Sequence, residues 1–189
     1  MITIVSGLPR SGTSMMMRML EAGGIEILTD NIRKSDQNNT GGYYEFEPVK
    51  GLAEDPSFLE TGDGRAVKII SWLLKHLPET YLYKVIFMSR NLEEIIDSQE
   101  AMLARDGRPS NTYGPSKLLR VYSRHLNDVG IWMSSKKNIH LLYANYNRIL
   151  ENPLKHVTEI ADFLENRLDT VKMTSIVDSS QYRQKSSNF

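Results

Sequence analysis

The stretch of this chain best equipped for chemistry is Gly7-Leu8-Pro9-Arg10-Ser11-Gly12-Thr13-Ser14. Two glycines bound a short loop that carries one arginine and several hydroxyl side chains. The apolar, β-rich run Ile2-Thr3-Ile4-Val5 precedes it, and Met15 to Glu21 reads as a helix ended by Gly23-Gly24. A loop of this kind turns backbone N–H groups toward one point, and the helix N-terminus adds partial positive charge. Thr13 and Ser14 can add hydroxyl donors or cap the helix. Arg10 offers a planar, permanently charged fork for phosphate or sulfonate oxygens. A glycine turn before a capped helix has some of the same features. The strand, the helix and the embedded arginine together favour an anion site.

Strand, glycine-bounded loop and helix are the context of a P-loop. The triphosphate version reads G-x-x-x-x-G-K-[ST], with the lysine on the β- and γ-phosphates and the hydroxyl on Mg²⁺. Here Thr13 occupies the lysine place. A kinase or ATPase of that class would be badly impaired without the lysine. The chain also has no apolar strand ending in a clear Walker B aspartate. The loop is suited to a phosphate-like anion rather than to a Mg-triphosphate.

A second group stands at the end of another apolar run, Val85-Ile86-Phe87-Met88-Ser89-Arg90-Asn91, with Ser98 eight residues after Arg90. Taken alone, Arg90 reads as a surface ion-pair residue beside Glu93 or Glu94, and Ser98 as a solvated serine on the polar face of a helix. Taken with the first loop, they read as a second anion anchor, because an arginine contact to phosphate is of the strong, charge-assisted kind.

Pro9-Arg10-Ser11-Gly12-Thr13-Ser14 resembles the 5′-phosphosulfate loop of the sulfotransferase superfamily, P-[KR]-[SG]-G-T-[TS], and the chain is similar to a small, bacterial-type member. In that family a strand-end arginine and a serine eight residues on bind the donor's 3′-phosphate, which the resemblance assigns to Arg90 and Ser98. Arg90-Asn91-Leu92 stands where many members have R-N-P or R-D-P. Tyr143 to Leu164 resembles the family's strand, Y-E-x-L-x-x-x-P turn and F-L helix. Tyr182-Arg183-Gln184-Lys185 falls where members bring a basic residue over the nucleotide, which makes Arg183 a further candidate; a solvated basic tail is the alternative. The resemblance implies 3′-phosphoadenosine-5′-phosphosulfate as donor, 3′-phosphoadenosine-5′-phosphate as product, and no metal.

Sulfuryl transfer to a hydroxyl or amine needs a base, positive charge for the leaving phosphate, and in-line positioning. Arg10, Lys68 and the loop amides can supply the positive charge. Many cytosolic members place a histidine as base at the end of the second strand. Ile70 stands there, after Val67-Lys68-Ile69. Gly42-Tyr43-Tyr44-Glu45 resembles the G-Y-x-E stretch of bacterial members, so Glu45 is the candidate base, with Glu47 second; a surface or helix-capping acid is the other reading of Glu45. Lys68 sits in an apolar strand, where an unpaired ammonium is costly. It must reach the anion or pair with a carboxylate.

The elements that position these residues are strands alternating with helices. Ile2–Ser6, Ala66–Ile70, Val85–Met88 and Ile139–Tyr143 read as strands. Helical patterns follow the first and third, with one face of the latter marked by Leu92, Ile95, Ile96, Gln99 and Leu103. Further stripes run from Leu118 to Met133 and from Pro153 to Leu164. This predicts a three-layer, P-loop NTPase-like α/β fold with a central, mostly parallel sheet flanked by helices, in a single domain over 1–189. Ligands in such sheets bind beyond the carboxyl ends of the strands.

Composition narrows the classes. The 189 residues carry 23 Lys and Arg against 23 Asp and Glu, so the formal net charge is zero and any anion site must be local. That argues against nucleic acid as a partner; the expected partners are the nucleotide donor and an unidentified acceptor. Without cysteine there are no disulfides, thiolate nucleophiles or cysteine-ligated metals. No apolar run approaches a membrane span, and no signal peptide is seen, so a cytoplasmic location is expected. His76, His125, His140 and His156 show no metal-ligand spacing. The cluster Met15-Met16-Met17-Met19 reads as helix core, and Trp72 and Trp132 as packing residues. Two competing readings stay open: a non-catalytic module that binds the donor or its product, and an atypical P-loop kinase.

Overall fold

A computed structural model describes residues 1–30, 32, 35, 36, 39, 41–165 and 168–177. Five strands form one wholly parallel sheet: β1 (Ile2–Gly7), β2 (Ile27–Leu28), β3 (Ala66–Lys68), β4 (Tyr83–Ser89) and β5 (Ile139–Asn145), in the order β2-β3-β1-β4-β5. Every residue of β1 is buried, Thr3 and Ser6 included, as expected of a central strand covered on both faces.

The side chains of the sheet alternate between two cores. Ile2, Ile4, Val67, Tyr83, Val85 and Phe87 face one side. There they meet α3 (Pro115–Ser134) through Val129 and Met133, and three 3₁₀ segments (Glu47–Gly51, Ser57–Thr61, Ser71–His76). Val5, Ile86 and Met88 face the other side, against α1 (Thr13–Ala22), α5 (Pro153–Leu164) and α6 (Thr170–Ser175). Met16, Met17 and Met19 of α1 are fully buried there, so the methionine cluster is core. A third group, Leu8, Ile95, Ile96, Leu118 and Tyr122, packs α2 (Leu92–Arg105) onto α3.

Local signals set the boundaries. The helix α1 stops where Gly23 and Gly24 return their N–H groups to Met19 and Glu21, with Gly24 at φ 102°. Asn91 caps α2 by accepting from the N–H groups of Glu93 and Glu94, which replaces the helix start that a proline would give. Pro115 and Pro153 occupy the first turns of α3 and α5.

Two expectations are corrected. The second predicted strand ends at Lys68 rather than Ile70, because the chain turns there into the 3₁₀ segment at Ser71 and leaves Ile70 42% exposed. The polar side of α2 is solvated only in part: Glu93 and Asp97 are exposed, but Glu94 and Ser98 are buried, because the helix packs over the first loop and against the chain after β5. Neither the two-residue β2 nor α4 (Tyr146–Glu151) was foreseen.

In this strand order β1 lies between β3 and β4, so the chain leaves the sheet in opposite directions on either side of it. A crevice opens at that switch point beyond the carboxyl ends of the strands. The loop after β1, the end of β3 and the residues after β4 all converge on it. In register, Val5 pairs with Lys68, Gly7 with Met88, and Ser89 with Asn145. The last pairing sets Arg90 beside Tyr146.

Candidate active site

The loop from Gly7 to Ser14 depends on backbone conformations that its glycines supply. Gly7 has φ 148°, and a Cβ there would lie 2.6 Å from the Met88 carbonyl oxygen. Gly12 has φ 99°, and a Cβ there would lie 2.5 Å from Tyr146 Cδ2. Arg10 has no such freedom, yet it sits at φ 73°. A left-handed non-glycine residue is a strained one and persists where surrounding contacts over-determine it. Among the described residues no side chain caps α1, so the N–H groups of its first turn have no capping side chain. Ser11 is 1% exposed, and its Oγ has no hydrogen-bond partner among the described residues. Ser14 Oγ donates to the Tyr43 carbonyl at 3.4 Å.

The second group is tied to the first through Arg10. Its Nε donates to Ser98 Oγ at 2.9 Å, and its carbonyl accepts from Arg90 Nη1 at 3.2 Å. Arg90 Nε donates to Glu94 Oε2 at 2.9 Å, and the guanidinium carbon lies 4.7 Å from the centre of the Tyr146 ring. Glu94 also accepts from Asn147 Nδ2, at 3.2 Å to each oxygen. Burial, and then the like charges of Arg105 and Arg90, hold Arg10 below the ordinary arginine range; an anion beside it would oppose that shift.

A cavity of about 490 Å³ opens above these residues. Pro9, Arg10, Gly12, Thr13, Ser14, Arg90 and Ser98 line it, as do Glu45 and Lys68. Seven Lys and Arg side chains face it against two carboxylates, Glu45 and Asp106. A chain of zero net charge therefore gathers positive side chains where an anion site is expected, even with Lys50 paired to Glu47 and Arg90 to Glu94. Lys68, half-buried at the end of β3, donates from Nζ to the Tyr43 carbonyl, so a backbone acceptor meets the need that burial creates. Glu45 is half-buried on the same side.

Three candidates are placed elsewhere. Ser11 is buried beneath the loop rather than in the cavity wall. Glu47 is exposed, accepts from Lys50 Nζ at 2.7 Å and is not in the wall. Arg183 lies outside the described residues. Ile70, in the place of the family histidine, does line the cavity, next to Leu73. Sequence reasoning gave no role to Tyr146 or Asn147 and offered Glu94 only as an ion-pair partner of Arg90, which it is, though buried rather than at the surface. The tyrosine of the Y-E-x-L-like turn was the available signal for Tyr146, and Glu94 was masked by its position on a helix face that looked polar.

The parallel sheet in this order, with a glycine loop at its switch point, is the P-loop-like architecture of sulfotransferases. The mouse sulfotransferase SULT7A1 complexed with PAP has this fold at a TM-score of 0.55 and 21% identity, over 98% of this chain and 66% of that one. The sulfotransferase domain from the curacin biosynthetic pathway matches at 0.53 and 14% identity, over 95% and 78%. The chain thus spans about two thirds of the mouse protein's length. A family model described as a sulfotransferase domain matches residues 114–189. No curated protein sequence matches. The family match is confined to the C-terminal part of the chain, and the solved structures share its fold. Among the described residues no helix is long and apolar enough to cross a membrane.

Proposed function

We propose that this chain transfers a sulfuryl group from 3′-phosphoadenosine-5′-phosphosulfate to a hydroxyl or amine. The observation that carries the reading is the double engagement of Arg10, through its side chain to Ser98 and through its carbonyl to Arg90. This ties a loop suited to a 5′-phosphosulfate to an arginine and serine suited to a 3′-phosphate, on the wall of one cavity. The uncapped N-terminus of α1 fits a polyanionic ligand at the loop. The continuous five-stranded sheet supports one domain over 1–189, with the tail around Arg183 as a further contribution to the nucleotide site. The absence of cysteine suits a cytoplasmic setting.

In this reading the amides of α1, Thr13 and Ser14 hold the 5′ end of the donor, and Arg90 and Ser98 hold its 3′-phosphate. Glu45 takes the proton from the acceptor as the acceptor oxygen or nitrogen bonds to sulfur. The bond from sulfur to the bridging phosphate oxygen breaks, and Lys68 and Arg10 stabilise the charge that collects on the departing phosphate. No step requires a metal.

One observation favours a second reading. Ile70 brings an apolar side chain to the cavity where a histidine base would stand in other branches, as in a module that keeps the nucleotide but does not turn it over. A kinase is disfavoured by Thr13 in the lysine place.

Calorimetry with 3′-phosphoadenosine-5′-phosphate, AMP, ADP and ATP, without metal, tests the donor. The 3′-phosphorylated nucleotide is expected to bind best, and Arg90→Ala to erase most of that preference. Equal affinity of the wild-type protein for AMP overturns the reading. Tight donor binding with no transfer across a broad panel of alcohols, phenols and amines selects the non-catalytic module.

A further inference from the structure

We propose that Glu94 is a positioning residue that sets the direction of the Arg90 guanidinium for the donor's 3′-phosphate, an inference that rests on the donor reading above. The Glu94 side chain is 1% exposed and that of Arg90 is 7% exposed. A buried ion pair is a weak source of stability, because desolvation offsets most of its attraction. The contacts around this pair give it a different use. Glu94 takes Arg90 Nε, the Arg10 carbonyl takes Nη1, and the Tyr146 ring covers one face of the plane. Three sides of a planar fork are thus defined before a ligand arrives, which lowers the ordering cost of binding.

Glu94 is itself held at both its main chain and its carboxylate. Its backbone N–H donates to Asn91 Oδ1 at 3.3 Å, in the first turn of α2, where the helix dipole favours a negative group. Its oxygens receive Asn147 Nδ2 from the first turn of α4. The anchor therefore joins the segments that follow β4 and β5, through Glu94 to Asn147 and through Arg90 to Tyr146. Its charge also offsets that of Arg90. A fixed direction of the N–H groups therefore adds to the remaining charge of Arg90 in holding a phosphate.

Glutamine at position 94 separates orientation from volume. Both oxygens of the carboxylate accept hydrogen bonds, whereas an amide offers one acceptor and would set its own N–H₂ against Arg90 or Asn147. Glu94→Gln is expected to weaken 3′-phosphoadenosine-5′-phosphate binding about tenfold or more while leaving AMP, held by the first loop, within about twofold. Asn147→Ala should shift the same ratio in the same direction by less. In ¹⁵N spectra without nucleotide, the Arg90 Nε proton should be slow to exchange in the wild-type protein and lost in Glu94→Gln. Unchanged affinities for both nucleotides, or an equal fall in both with the fold intact, overturn the proposal. If Glu94→Gln does not fold, Asn147→Ala decides by the same ratio. If the wild-type protein does not prefer the 3′-phosphorylated nucleotide, the donor reading fails. The Nε resonance then judges Glu94 alone: persistence in Glu94→Gln overturns its positioning role, and loss supports it.

Discussion

Gly12 and Tyr146 meet face to face at the base of the cavity. The glycine has φ 99°, and its missing Cβ would fall 2.5 Å from Tyr146 Cδ2, while the same ring lies 4.7 Å from the guanidinium carbon of Arg90. One aromatic side chain thus sets the distance between the first loop and the second anchor. Gly12→Ala meets two penalties. The left-handed backbone costs about 1–2 kcal/mol for a residue with a Cβ, and overpacking against a buried ring costs ~1–3 kcal/mol more. Their sum is below the stability of an ordinary domain, so the variant should fold with a lowered Tm. It should also lose affinity for AMP and for the 3′-phosphorylated nucleotide alike, because the displaced ring disturbs both anchors. Thermal denaturation and calorimetry on the same sample check this. A variant of unchanged Tm that binds both nucleotides normally would show that the close contact is not needed.

His125 gives a prediction about pH. Its ring stacks on Trp72 with centroids 4.0 Å apart, and Nε2 lies 2.8 Å from Ser71 Oγ. Burial, and then the charge of Lys75, hold its pKa below the ordinary histidine value, with Asp128 opposing. In this range the unfolded chain binds the proton first, so stability falls as pH drops from about 6.5 toward the folded-state pKa. Below that pKa the loss is complete, and above about pH 7 it is absent. His125→Gln, which cannot take up the proton, should show a shallower fall in urea midpoint between pH 7 and pH 5 than the wild-type protein. Parallel slopes for the two would remove His125 as their source.

The sequence disclosed what is encoded locally. The β1 run, the bounding glycines and the apolar spacing of α1 gave the cradle, because a short buried strand and a helix stop are written in adjacent residues. Arg90 and Ser98 were legible as a pair, but their surroundings were not. Glu94 and Ser98 looked like a solvated face because helical periodicity reports which residues share a face, not what covers it. The cover is the first loop and the chain after β5, both distant in sequence. Arg10 bonding to Ser98, and Tyr146 lying under Arg90, are contacts of the same long-range kind. The two-residue β2 and the single-turn 3₁₀ segments are too short for any period to show.

The catalytic assignment is tested by separating binding from turnover. Glu45 and Lys68 both line the cavity; in the proposed reaction Glu45 takes the acceptor's proton, and Lys68, with Arg10, acts on the leaving group. Glu45→Gln should leave the affinity for the 3′-phosphorylated nucleotide unchanged and lower kcat by about 10²–10⁴-fold, the usual contribution of a general base. Lys68→Met should also lower kcat, by about 10²–10³-fold if its charge acts mainly on the departing phosphate, and the loss should be smallest for acceptors whose bond to sulfur forms early. The variant removes the hydrogen bond from Nζ to the Tyr43 carbonyl as well. Because Glu45 follows two residues after Tyr43, Lys68→Met could disturb the base indirectly, and Lys68→Arg separates these effects by restoring charge and donor together. Rescue by arginine assigns Lys68 to charge stabilisation. Full activity in Glu45→Gln, measured with any acceptor the wild-type protein accepts, removes Glu45 as the base.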